Sequence, residues 1–242
     1  TAVWSRKLAA AATGILKRRD GANLTGLCCG RLGRDLYRID GKVFSKKILP
    51  AAGADIAVGV LIDESGSMCY GEPSKSETAL RMALLLYDFC HSLEIPCCIA
   101  GHSAESSDNI HMDISIYTDF EPSARDALRV ASPVYKYQCN YDDFSLRYMG
   151  NRLLIRPENM KVLFVISDGA PSIPSHLGRT ERYQAMRETV KKLRQQGIII
   201  LATTLDVADD SVQEIYQKDC IDVTDFKHLP ARLPRLLSRY VS

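Results

Sequence analysis

The chain of 242 residues lacks any apolar run long enough to cross a bilayer. Its longest stretches of that kind, 56–62, 83–87 and 198–202, fall far short of the roughly 20 residues a spanning helix requires. Net charge is also scarce. A value of +2 beside 46% hydrophobic residues excludes an intrinsically disordered chain. No C-x-x-C pair occurs among the eight cysteines, so zinc-ribbon and thioredoxin signatures are missing. No P-loop is present, because Gly71-Glu72-Pro73-Ser74-Lys75-Ser76 has Lys-Ser without the second glycine or the spacing. The Gly-x-Ser-x-Gly elbow of serine hydrolases is absent as well. There are no internal repeats, no low-complexity segments, no signal peptide and no initial Met. The opening Thr1-Ala2-Val3-Trp4 therefore predicts a piece of a longer protein.

What is present suits one domain of generous size plus a short extension. Charge is unevenly spread: residues 1–50 carry +8, 51–150 carry −9 and 151–242 carry +3. The basic arm includes Arg18, Arg19, Arg31, Arg34, Arg38, Lys46 and Lys47, with few interleaved aromatics beyond Tyr37 and Phe44. That pattern predicts an electrostatic protein contact or a linker rather than nucleic-acid binding. Cys28-Cys29 and Cys97-Cys98 are vicinal pairs that cannot close without strain, and the second lies in an apolar run. Reduced thiols packed as small hydrophobes, hence a cytoplasmic location, are expected.

The apolar run at 56–62, rich in Val and Ile, reads as a central parallel strand buried on both faces. Ser74-Lys75-Ser76-Glu77 offers a capping box for a long helix reaching about Leu93. Strands are predicted at 95–101, at 112–118 with edge-like alternation, at 162–167, at 198–203 and weakly at 220–223. Helices are predicted at 1–19, 123–130, 143–155, 181–195, 209–217 and 228–240, with a short strand at 43–48. This alternation predicts an α/β fold, a doubly wound and mostly parallel sheet flanked by helices, with one antiparallel edge strand. The expected division is a basic helical or linker extension at 1–50 and one domain at 51–242. Ligands of such sheets bind at the carboxyl ends of the strands, near the switch point.

There the two most apolar strands end in Asp63-Glu64-Ser65-Gly66-Ser67 and in Ser167-Asp168-Gly169. Asp63, Ser65 and Ser67 alternate along a loop that Gly66 allows to turn. One carboxylate and two hydroxyls can thus share a target, and Asp168 can add a second carboxylate. Hard oxygen donors of low total charge suit Mg²⁺ or Mn²⁺, whereas zinc and copper would call for His or Cys. The same residue types also favour turns and helix caps, which is the plainer explanation.

Ile62-Asp63-Glu64-Ser65-Gly66-Ser67-Met68 resembles the metal-ion-dependent adhesion site of von Willebrand factor A domains. In that family the first loop gives an Asp and two Ser, the second a Thr and the third an Asp. Asp63, Ser65, Ser67 and Asp168 match. The Thr does not, since the second loop reads Gln138-Cys139-Asn140-Tyr141-Asp142-Asp143. A branch similar to the T-type subunit of cobalt chelatase and to the nitric-oxide-reductase activation protein carries Asn-x-Asp-Gly there, and Ser-Asp-Gly-x-Pro in the third loop. Asn140-Tyr141-Asp142 and Ser167-Asp168-Gly169-Ala170-Pro171 resemble both, with Asp143 in place of the Gly. The segment from Gly30 to Phe44 also resembles the lead-in of this branch, so the resemblance spans about 25–240.

The resemblance implies a binding role: an Mg²⁺ ion with an incomplete shell, completed by an Asp or Glu of a protein partner. Asp142, for its charge, or Asn140 would replace the Thr. Relatives of this branch work beside MoxR-type AAA+ ATPases on a client metalloenzyme. Any ATP hydrolysis would be a partner's, and the chain is not expected to be an enzyme by itself. The alternative is an Mg-dependent phosphoryl-transfer or hydrolytic enzyme using Asp63 and Asp168. His102 follows a strand end, where it could serve as a base near the same rim, but a solvated loop is the expectation, and His91, His111, His176 and His228 lack ligand spacing. The loop at 170–179 is a candidate for partner specificity.

Overall fold

A computed structural model describes residues 55–105, 111–121, 123, 125–133, 139–169, 178–205, 211–217 and 220–222. The predicted extension at 1–50, with its helix, strand and Trp4, lies outside the described residues, as do the terminal helix at 228–240 and most of the 170–179 loop.

Strand β1 (Ile56–Asp63) is buried along its whole length. Its alternating side chains feed two separate cores. Val58, Val60 and Ile62 pack with Met82, Leu86 and Phe89 of helix α1 (Lys75–Ser92). Ala57 and Leu61 face Leu146, Met149 and Leu153 of helix α3 (Asp142–Leu154). A strand covered on both sides has no solvent face to mark with polar residues, which is why it reads as an unbroken apolar run. Each large side chain fully buried here contributes about 1.5–3 kcal/mol.

The remaining elements are β2 (Cys97–Glu105), β3 (His111–Thr118), α2 (Asp126–Val130), β4 (Met160–Ser167), α4 (Arg179–Gln195), β5 (Ile198–Thr204), α5 (Ser211–Tyr216) and β6 (Cys220–Asp222). The six strands lie in the order β3-β2-β1-β4-β5-β6. All neighbours are parallel except β2 and β3. From β1 the chain first winds outward through β2 and β3, then returns to β4 on the other side. The switch point therefore falls between the carboxyl ends of β1 and β4.

Ser74 caps α1, its Oγ accepting from the Glu77 N–H at 3.2 Å, while the Glu77 carboxylate pairs with Arg81. Ser74→Ala is expected to cost about 1 kcal/mol, lowering the unfolding temperature by about 2–4 °C in a circular-dichroism melt. Helix α4 is followed, past its cap Gln196, by Gly197, whose φ of +91° is a conformation that favours glycine after a helix.

The two largest boundary shifts have local reasons. Helix α2 starts at Asp126 rather than at 123, because the buried Asp126 carboxylate accepts from the Ser123 N–H at 2.6 Å and closes a turn first. Strand β2 starts after Pro96 and runs on to Glu105, since β3 pairs with it antiparallel from Ile99 to Glu105. Cys90, Cys97 and Cys98 are free and buried, and burial pushes the Cys98 thiol up to about 12. Among the described residues no helix is long and apolar enough to cross a membrane.

Candidate metal-ion site

The chain leaves β1 at Asp63, and the Ser65 N–H turns back onto the Asp63 Oδ1 at 2.9 Å. This is an Asx turn, the conformation an Asp two residues ahead of a backbone donor favours. The Ser65 and Ser67 hydroxyls then lie 3.1 Å apart. Ser67 Oγ donates to Asp168 Oδ1 at 3.1 Å, joining the first loop to the one that leaves β4. Of the sequence-predicted residues, Asp63, Ser65, Ser67 and Asp168 thus form one bonded cluster at the switch point.

The second loop reaches the cluster through a backbone bridge. Ala104 N–H donates to Cys139 O at 2.7 Å, and Cys139 N–H returns to Ala104 O at 3.1 Å. Tied to the end of β2 in this way, Asn140 donates from Nδ2 to Asp63 Oδ2 at 2.9 Å. Ser167 Oγ donates to the same oxygen at 3.1 Å. Asp142 opens α3, where a negative charge suits the helix N-terminus. Asp143, standing where the resembling branch has Gly, accepts from Arg147 at 2.7 Å and from Thr189, which ties α3 to α4.

Glu64 and Lys75 were not legible as parts of this site, and His102 only as an alternative near its rim. His102 is not in a solvated loop: it lies within β2, in register with Asp63, and is 1% exposed. Its Nε2 faces Asp142 Oδ1 at 3.5 Å, and neither ring nitrogen nor Asp142 Oδ2 has a hydrogen-bond partner among the described residues. Burial lowers the His102 pKa, against the pull of the Asp63 charge. Burial also raises the Asp142 carboxyl well above the usual range, and the negative charges of Asp63 and Asp168 add to the effect. Glu64 is buried beside Gly101 and accepts from the Tyr117 hydroxyl. Desolvation pushes it up to about 8, with Tyr117 pulling down and Asp63 pushing up. Its one sequence signal is Gly101 inside an apolar strand, a mark of close approach. Lys75 Nζ lies 2.9 Å from Asp168 Oδ2.

Buried carboxylates beside hydroxyls, one carboxylate oxygen lacking a partner, and mutual repulsion all fit a hard divalent cation. Among the described residues no three His, Cys, Asp or Glu are placed to hold an ion by themselves. An ion here would depend on the serine hydroxyls as well.

A doubly wound sheet with this loop set defines a von Willebrand factor A domain. The family described as "Cobalamin biosynthesis protein CobT VWA domain" matches residues 118–242, and the chain belongs to that family. The match includes Asn140, Asp142 and Asp168 and starts after the Asp63 loop. "Uncharacterized protein YojO" of Bacillus subtilis (strain 168) is 26% identical over 230 residues, covering 89% of this chain. The chain spans 35% of that relative's length. In fold it is similar to the PilB minor pilin from Streptococcus sanguinis, with a TM-score of 0.54 and 11% identity over 77% of this chain and 62% of that one. Proximal thread matrix protein 1 from the mussel byssus gives 0.53 and 12%, over 76% and 47%.

Proposed function

We propose that the chain is a metal-ion-dependent protein-interaction domain, a non-catalytic part of a cobalt-chelatase-like or AAA+ ATPase-coupled metalloenzyme assembly protein. The observation that carries this reading is the bonded run Ser65–Ser67–Asp168 beside Asp63 at the switch point. Mg²⁺, or Mn²⁺, would be held by Asp63, Ser65, Ser67 and Asp168. Asp142 is favoured over Asn140 as the further ligand for its charge and because its Oδ2 is buried with no hydrogen-bond partner among the described residues. The bound ion would supply an open coordination position for an Asp or Glu of a protein partner. A MoxR-type ATPase and a client metalloenzyme would be the partners, in the cytoplasm, as the resemblance to the cobalt-chelatase branch implies.

Calorimetric titration with MgCl₂ and MnCl₂ tests the site. Wild type should bind one ion, and Asp63→Ala or Asp168→Ala should weaken binding by at least about 100-fold, as loss of one hard ligand implies. Absence of binding by wild type, or equal binding by both variants, would refute the reading.

A further inference from the structure

The first residue of α1 lies against the third loop. Lys75 Nζ donates to Asp168 Oδ2 at 2.9 Å, while Asp168 Oδ1 accepts from Ser67. Both oxygens of this candidate ligand are therefore engaged within the protein. The pair is not a solvated surface contact, with the Asp168 side chain 8% and the Lys75 side chain 24% exposed. Helix α1 does not account for a lysine here, since a positive charge in the first turn opposes the helix dipole. The backbone brings it back to the site instead. Gly71, at φ +100°, turns the loop after Ser67, and the Lys75 N–H donates to Tyr70 O at 3.1 Å. The other carboxylates of the site are met differently, Asp63 by neutral donors and Asp142 by a buried imidazole.

We propose that Lys75 is a tethered counter-cation of the ion site, which holds Asp168 in the ion-free protein and weakens divalent-ion binding by competing for that carboxylate. This rests on the metal-dependent reading above and adds a residue that sets its affinity. An arriving ion meets a carboxylate whose charge is already balanced, and must share it or displace the ammonium. Half-occupancy then falls at a higher ion concentration than the oxygen ligands alone would set. The Lys75 side chain is not part of the described hydrophobic cores, so its replacement should leave the fold intact.

The test is calorimetric titration of the 242-residue chain with MgCl₂ at constant ionic strength, in wild type, Lys75→Gln and Lys75→Arg, with melting curves in chelator. Lys75→Gln should bind about tenfold more tightly, equivalent to about 1.4 kcal/mol. In chelator it should melt a few degrees lower. Lys75→Arg keeps the charge and should stay within about threefold of wild type. Equal or weaker binding by Lys75→Gln, where wild type binds and Asp168→Ala does not, overturns the role of Lys75 and leaves the ion site standing. Failure of wild type and Lys75→Gln alike overturns both.

Discussion

Gly101→Ala is expected to destabilise the domain by about 3 kcal/mol, the upper range of overpacking penalties with a disturbed buried hydrogen bond added. A Cβ built at this position would lie 2.1 Å from the Glu64 carboxyl carbon and within 2.3 Å of both its oxygens. The end of a glutamate normally swings aside cheaply, but this one is 1% exposed and bonded to Tyr117. Moving it would also drag the neighbouring loop, because the Glu64 N–H is fixed to His102 O at 2.9 Å. Chemical denaturation of a double-mutant cycle checks the cause. Pairing Gly101→Ala with Glu64→Ala makes room for the added methyl, and a coupling of about 1–2 kcal/mol should return. Additive losses would show that Glu64 is not what the methyl meets.

Leu146→Ala should cost about 3 kcal/mol, within the range for deleting a buried leucine with partial collapse of its cavity. Leu146 is fully buried one turn into α3, packed with Leu61 of β1 and with Met149 and Leu153 of its own helix. The same helix begins with Asp142, so a loosened α3 should weaken ion binding as well. Leu128 on α2 is the comparison, since it is 71% exposed. Leu128→Ala should change stability by less than about 0.5 kcal/mol. Urea denaturation, with slopes compared between variants, reads both. Similar losses at the two positions would contradict the packing described.

Leu146 and Leu128 also mark where legibility in the sequence ended. Both sit in predicted helices with apolar neighbours at helical spacing, and nothing local separates them. Burial depends on what an element packs against, and α2 is too short to bury both of its faces. The long elements were legible because their signals are local. β1 and β4 carry continuous apolar runs, and α1 carries a cap three residues ahead of Glu77. Boundaries slipped where a side chain closed a turn before the helix, as at Asp126, or where a partner strand prolonged pairing, as in β2.

The sequence by itself determined the alternation of strands and helices, hence the doubly wound sheet, and it put Asp63, Ser65, Ser67 and Asp168 on loops leaving apolar strands. Run length, periodicity and turn chemistry act over a few residues, so one stretch of chain suffices to read them. Only the tertiary structure decided which loops meet. Asn140 reaches Asp63 across 77 residues, and Lys75 reaches Asp168 across 93. Likewise, β1 and β2 in register bury His102 beside Asp63, where the sequence offers a histidine like any other. Strand order creates these contacts, and strand order follows from how two apolar faces are covered at once, a property no single segment carries.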